Sequence, residues 1–130
     1  FVAGEKVGVV GYCRGGRLAL AVAQGLGDRV AAVGCFHTGI VSSDAPGVLP
    51  DVDEILAELL FGFADADPSA PADAQAALAT KLDAAGVRYA MAIYPDAPHG
   101  YAMADTLRYQ EAGAERHYTE LEDLLARALA

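Results

Sequence analysis

The sequence has few basic residues, few cysteines and no long uninterrupted apolar run. It has 9 Lys and Arg residues against 18 Asp and Glu residues, which gives a formal net charge of −9. An acidic surface repels phosphate backbones, so nucleic acids are not expected partners. No apolar stretch reaches the roughly 18 residues of a membrane span, and from the first residues we expect no signal peptide. A membrane is therefore not an expected partner either.

The two cysteines, Cys13 and Cys35, form no CxxC pair. This spacing argues against a structural zinc site and a disulfide framework, and it favours a reducing, cytoplasmic setting. Cys35 lies inside an apolar run, so we expect a buried and inert thiol there. The chain begins at Phe1 and enters a strand almost at once, so we expect it to be part of a longer protein.

Short apolar runs alternate with helical segments along the chain. Strands are predicted over residues 6–10, 30–36, 59–64 and 88–94. Helices are predicted over 14–25, 51–58, 71–86 and from about 105 to 130, with a loop over 42–50. The face shared by the last helix is expected to contain Leu107, Ala114, Tyr118, Leu121 and Leu125.

This alternation indicates an α/β fold, with a mostly parallel sheet flanked by helices. In such sheets, functional residues collect in the loops that follow the strands. Three of the predicted loops carry reactive side chains, namely Cys13, the pair Asp65 and Asp67, and His99.

The segment Gly11-Tyr12-Cys13-Arg14-Gly15 lies between a predicted strand and a predicted helix. A dinucleotide-binding turn needs a glycine where Cys13 stands, and a phosphate loop needs a GK pair that is missing here. Strand, G-x-nucleophile-x-G and helix is instead the pattern of a nucleophile elbow, in which Gly11 and Gly15 allow a close approach. Cys13 is the predicted nucleophile, and the Arg14 N–H is the predicted oxyanion donor. The helix N-terminus is expected to favour the thiolate.

A thiol nucleophile needs a base, and the base needs a carboxylate that orients it. His99 is the predicted base, because it completes the chain order nucleophile, acid, histidine in a loop after the last strand. Asp65 and Asp67 both follow the third strand, and turn chemistry alone explains either of them. Asp67 is the favoured acid, and Asp65 is the alternative.

Of the three remaining candidates, two are expected to line the site and one is expected to lie on the surface. Tyr12 and His37 are predicted to line the substrate site without acting as the base. His117 lies beside Arg116 in the last predicted helix, where we expect it to be a solvated surface residue.

The segments GYCRGG, FGFADADPSAP and YPDAPHGYA, followed by a long helix, resemble the dienelactone hydrolase family of α/β-hydrolases. The resemblance covers essentially the whole chain but only the C-terminal portion of the family domain. Residues 1–130 are thus expected to be the C-terminal portion of a single α/β-hydrolase domain without its N-terminal strands. In the family, that N-terminal part also includes the loop that donates the second oxyanion N–H.

The resemblance implies a triad of Cys13, His99 and Asp67 that acts through a thioester. It also implies hydrolysis of esters and lactones, with carboxymethylenebutenolide (dienelactone) as the naming substrate, and no metal or organic cofactor. The family's dienelactone enzyme has a substrate-binding arginine shortly after the histidine. Here Met103 stands in that neighbourhood, and the next arginine is Arg108. The expected partner is therefore a small-molecule ester or lactone, rather than dienelactone in particular.

The sequence leaves two alternative functions open. The first is a catalytically inactive binding domain on a hydrolase scaffold, since a fold does not fix a function. The second is a thiol enzyme like the glutamine amidotransferases, which usually end with His-x-Glu. Tyr101 stands two residues after His99, which disfavours this second alternative.

Overall fold

Four parallel strands form one sheet in the part of the chain that the structure describes. The computed structural model describes residues 4–41 and 48–130. The strands are β1 (Val7–Tyr12), β2 (Val30–Phe36), β3 (Glu58–Ala64) and β4 (Tyr89–Tyr94), in the spatial order β1-β2-β3-β4. The helices are α1 (Arg14–Leu26), α2 (Ala72–Ala85) and α3 (Glu111–Ala128), and a 3-10 turn, Gly27–Arg29, leads into β2.

The sheet is covered on both faces, as its apolar strands require. Leu20 of α1 and Leu78 of α2 belong to one apolar cluster, together with Phe61 of β3. Leu124 of α3 belongs to a second cluster, together with Phe36 of β2. The predicted parallel α/β fold is confirmed. None of the helices in residues 4–41 and 48–130 combines the length and the apolar character that a membrane crossing requires.

The strands and the first two long helices lie within two residues of their predicted bounds, but the helix predicted over 51–58 is wrong. Residues 51–57 are irregular apart from a turn at residues 53–54, and Glu58 is already the first residue of β3. The Asp51 carboxylate accepts a hydrogen bond from the Asp53 N–H, which holds the chain in a local turn in place of a helix. Of the loop predicted over 42–50, residues 42–47 lie outside the described residues, and 48–50 are irregular.

The last helix begins at Glu111, about six residues later than predicted. Gln110 caps it, since its side-chain oxygen accepts a hydrogen bond from the Gly113 N–H at 2.6 Å. Leu107 therefore lies before the helix and is fully exposed, and Tyr118 is half exposed. The predicted shared face is wrong at these two positions. The buried positions of α3 are Gly113, Ala114, His117 and Leu124.

Candidate active site

Cys13 occupies a sharp turn between β1 and α1. Its backbone angles are φ 53° and ψ −124°, in a region that residues with a side chain rarely adopt. The turn is held from the neighbouring strand, because the Cys13 N–H donates to the Phe36 carbonyl at 3.1 Å. Strain that persists in this way clusters at functional sites, and this turn has the geometry of a nucleophile elbow.

The elbow depends on Gly11 and not on Gly15. A side-chain carbon at Gly11 would overlap the Gly15 backbone, whereas a side-chain carbon at Gly15 would meet open space. The close approach that the glycine pattern predicts is therefore made by the Gly15 main chain against Gly11. Gly16 supplies a second close approach, since a side-chain carbon there would overlap the Thr38 side chain.

The elbow gives a matched pair of glycine substitutions. We expect Gly11→Ala to lower the free energy of unfolding by roughly 3 kcal/mol, because strand and helix would have to separate. Gly15→Ala should change it by no more than about 1 kcal/mol, and should raise it if helix propensity dominates. Urea unfolding of both variants is the measurement. Equal destabilisation by the two substitutions would contradict the described packing.

His99 and Asp67 form the shortest contact in the site. The His99 Nδ1–H donates to Asp67 Oδ2 at 2.6 Å, and the other oxygen, Oδ1, accepts from the Ser69 N–H and hydroxyl at 2.9 and 2.7 Å. The Asp67 side chain is only 3% exposed, and that of His99 is 32% exposed. Burial alone would raise the pKa of Asp67, but the hydrogen bonds from Ser69 and His99 outweigh it and lower the pKa below its ordinary value.

Asp65, the alternative acid, lies elsewhere in the same loop. It is exposed, and its carboxylate accepts a hydrogen bond from the Asp96 N–H at 2.8 Å. Asp65 therefore joins the loop after β3 to the loop after β4. Because His99 is bound by Asp67, the geometry favours Asp67 as the orienting acid.

The Cys13 thiol lies against His37. Its Sγ is 3.1 Å from His37 Nδ1, while ligand atoms of Cys13, His37 and His99 all lie within 4.8 Å of one another. Within the described residues, no hydrogen bond joins the thiol to His99. Burial raises the pKa of the Cys13 thiol, and the Asp67 charge raises it further, whereas the Arg108 charge lowers it. Burial and the Asp67 charge thus act against the thiolate that the helix N-terminus is expected to favour.

His37 is fully buried at the carboxyl end of β2, where it has a positive φ of 37°. Its backbone N–H donates to the Gly62 carbonyl, and its ring packs edge-on against the Tyr101 ring, with 4.8 Å between the ring centroids. Its Nε2 has no hydrogen-bond partner among the described residues. Burial, together with the neighbouring His99 and His117, lowers the pKa of His37 to about 4. His37 is therefore neutral at ordinary pH, and its role in lining the substrate site stays a prediction.

The low pKa of His37 makes stability depend on pH. The unfolded chain binds a proton at this residue below about pH 6.5, while the folded chain does so only below about pH 4. The neutral ring thus stabilises the fold above about pH 6.5, and that contribution is lost as the pH falls to about 4. We expect a loss on the order of 2 kcal/mol across this window, measured by urea unfolding.

The control for this pH effect is His37→Gln, which cannot titrate. Its free energy of unfolding should fall less than that of the wild type over the same pH window. The difference between the two slopes is the measured quantity, so a general destabilisation of the variant does not affect it. Parallel pH curves for the two proteins would contradict the low pKa.

The partly buried Tyr12 and the buried His117 form a hydrogen-bonded pair behind the elbow. The Tyr12 hydroxyl donates to His117 Nε2 at 2.8 Å, and the His117 Nδ1–H donates to the Ala114 carbonyl. His117 is fully buried, so the expectation of a solvated surface residue is wrong. A polar side chain can be buried there because both ring nitrogens have partners. Tyr12 directs its hydroxyl towards α3, and its role as a substrate contact stays a prediction.

Two arginines lie near Cys13. Arg14 is the first residue of α1, so its backbone N–H has no acceptor within the helix. The sequence did not indicate Arg108 as a site residue, because Arg108 follows His99 at a greater distance along the chain than the family's substrate-binding arginine does. The chain turns at Gly100, where φ is 91°, and the Arg108 stem passes close to that glycine. The Arg108 charge thereby reaches the thiol and lowers its pKa against the effect of burial.

The parallel sheet, the strained elbow and the His99–Asp67 pair define an α/β-hydrolase fold. Residues 2–129 match the dienelactone hydrolase family, and the chain belongs to that family. No curated protein matches this sequence.

Solved structures of this fold are similar along nearly the whole chain. A putative dienelactone hydrolase from Klebsiella pneumoniae subsp. pneumoniae superposes with a TM-score of 0.82 at 22% identity, over 95% of this chain and 52% of that one. A dienelactone hydrolase-like promiscuous phosphotriesterase from metagenomic libraries superposes with a TM-score of 0.78 at 22% identity, over 98% of this chain and 54% of that one. An α/β hydrolase from a Medee basin deep-sea metagenome library superposes with a TM-score of 0.76 at 16% identity, over 99% of this chain and 57% of that one. The chain thus spans about half the length of these relatives.

Proposed function

We propose that this protein hydrolyses ester or lactone bonds through a thioester on Cys13. The observation that supports the proposal most strongly is the position of His99. Its ring lies beside the strained elbow of Cys13, and its Nδ1–H is bound to the buried carboxylate of Asp67. An elbow nucleophile, a base and an oriented carboxylate are the parts that acyl transfer needs.

The first step transfers a proton from sulfur to nitrogen. Because Asp67 binds the Nδ1–H of His99, the lone pair of this ring is on Nε2 and is free to accept the Cys13 proton. The thiol turns from His37 towards His99 within the same cluster, and its sulfur attacks the carbonyl carbon. Burial and the Asp67 charge raise the pKa of the thiol, which favours general-base catalysis over attack by a preformed thiolate.

The second step breaks the ester bond. The negative oxygen of the tetrahedral intermediate accepts the Arg14 N–H, and a second N–H comes from a part of the hydrolase domain beyond this chain. Collapse releases the alcohol, which takes the proton from His99, and leaves a thioester on Cys13. A water molecule, deprotonated by His99, then hydrolyses the thioester and restores the thiol. In this proposal, residues 1–130 are the C-terminal portion of a single domain.

The substrate class follows from the nucleophile and from Arg108. A thiolate is a good leaving group, so activated esters and lactones are better substrates than amides. Arg108 adds a positive charge close to the thiol, which favours substrates that carry a carboxylate. Carboxymethylenebutenolide has both features. A reducing, cytoplasmic compartment suits the enzyme, because oxidation of Cys13 would remove the nucleophile.

A panel of substrates tests this function. We expect turnover of an activated aryl ester and of neutral and carboxylate-bearing lactones, and none of the matching amide. Arg108→Gln should raise KM for the carboxylate-bearing lactone about fivefold, because an exposed charge contributes up to about 1 kcal/mol. KM for the neutral aryl ester should not change, which makes that ester the control. Absence of all ester and lactone turnover would contradict the proposal.

A further inference from the structure

Three loops of the sheet edge bring one sulfur and two imidazole rings together. Cys13 follows β1, His37 follows β2 and His99 follows β4, and their ligand atoms lie within 4.8 Å of one another. We propose that this cluster binds Zn²⁺, held by Cys13 Sγ, His37 and His99 Nε2. The inference concerns binding of an ion, and it does not require that the protein hydrolyse esters.

The three ligand atoms suit this ion. Thiolate sulfur and imidazole nitrogen are the ligands that Zn²⁺ takes most often, and sites with three protein ligands leave a fourth position for water. Bond lengths of about 2.3 Å to sulfur and 2.0 Å to nitrogen separate the ligands of a tetrahedral site by about 3.5 Å. The contact from Cys13 Sγ to His37 Nδ1 is already 3.1 Å. No pair has to close by more than about 1.3 Å, and the partly exposed His99 side chain has room to move by that distance.

The surroundings of the two histidines also suit an ion. The Nδ1–H of His99 is bound to Asp67, which leaves Nε2 as the free donor, in the carboxylate–histidine–metal arrangement that fixes such ligands. His37 makes one side-chain hydrogen-bond contact in the described part of the chain, and it is to the thiol. The contact with the thiol is thus the one side-chain hydrogen bond in this part of the structure that His37 gives up, and it is lost together with the thiol proton when the ion binds.

Binding replaces one bond and involves no redox change. The S–H bond of Cys13 breaks, its proton leaves to the buffer, and a zinc–sulfur bond forms, while the two neutral imidazoles donate lone pairs. The ion would occupy the predicted nucleophile and the predicted base together. Zn²⁺ is therefore expected to inhibit the proposed hydrolysis reversibly, with recovery after a chelator is added.

Titration of the reduced protein with Co²⁺ tests the site, since Co²⁺ replaces Zn²⁺ in tetrahedral sites and shows a thiolate charge-transfer band. We expect one ion per chain, a band that Zn²⁺ removes, and loss of the band in Cys13→Ser. Affinity should fall at least about tenfold in His37→Asn and in His99→Asn, because even the loss of an outer-shell partner costs ten- to a hundredfold. Cys35→Ala is the control thiol variant and should bind as the wild type does.

Two results would overturn the site: no charge-transfer band in folded wild type, or unchanged affinity in His99→Asn. The second variant carries the test even if His37→Asn fails to fold, because His99 is partly exposed. Circular dichroism checks the fold of each variant. An absence of ester turnover in metal-free protein would contradict the proposed function and leave the titration unaffected, so the two failures are distinguishable.

Discussion

Cys13→Ala is expected to lower kcat/KM for an activated aryl ester about a thousandfold or more. The substitution removes the sulfur that forms the thioester in the proposed mechanism, and no other nucleophile occupies the elbow turn. Loss of the nucleophile in a triad typically removes nearly all of the rate that the triad supplies. The free energy of unfolding should change little, because Cys13 is partly exposed and its backbone, not its thiol, bonds to β2. Steady-state kinetics and urea unfolding give the two quantities.

Cys35→Ala is the matched control for the loss of a thiol. Cys35 is fully buried within β2, and burial raises the pKa of its thiol to about 12. It is therefore unreactive, and its removal should leave kcat/KM within about twofold while lowering stability by about 1 kcal/mol. A large loss of turnover in Cys35→Ala, with turnover kept in Cys13→Ala, would show that Cys35 is the nucleophile and would contradict the role proposed for Cys13.

Asp67→Asn is expected to lower kcat about a thousandfold with little change in KM. The amide has the shape of the carboxylate but lacks its charge, so it neither fixes the His99 tautomer nor stabilises the imidazolium that forms during attack. A second consequence separates this role from a merely structural one. The Asp67 charge raises the pKa of the Cys13 thiol, so the variant thiol should have a lower pKa. The pH dependence of alkylation at Cys13 measures that change.

Asp65→Asn is the control for this substitution, because Asp65 lies two residues away and does not contact His99. Its carboxylate accepts one backbone hydrogen bond, from Asp96, which an Asn oxygen also accepts. We expect kcat within about threefold of the wild type, since a neutral hydrogen bond replaces a charged one at an exposed position. A loss in Asp65→Asn equal to that in Asp67→Asn would contradict the assignment of the acid.

Much of the fold and part of the site were predictable because their signals are local. The alternation of apolar strands and helices gave the parallel sheet, and the glycines around Cys13 gave the elbow. The order Cys13, Asp67, His99 follows the strands, and strands of a parallel sheet end at one edge. The contact between His99 and Asp67 is therefore one that topology favours before any side chain is placed.

The features that sequence reasoning missed depend on contacts between distant segments. His117 is buried because its partner is the Tyr12 hydroxyl, 105 residues earlier, and no local pattern indicates that pair. The contact between Cys13 and His37 depends on the register of β1 and β2, which pairs Tyr12 with Phe36 and so aligns the residues that follow. The raised pKa of the thiol comes from burial and from the Asp67 charge, which together outweigh the Arg108 charge, and all three depend on segments distant in the sequence.

Loss of activity measured against alkylation of Cys13 tests the central claim most directly. The protein is treated with iodoacetamide, and samples taken over time are assayed for ester turnover and analysed by mass spectrometry at Cys13 and Cys35. The account predicts that turnover falls at the rate at which Cys13 is alkylated, while Cys35 stays unmodified. Turnover that persists in protein fully alkylated at Cys13 would show that this thiol is not the nucleophile.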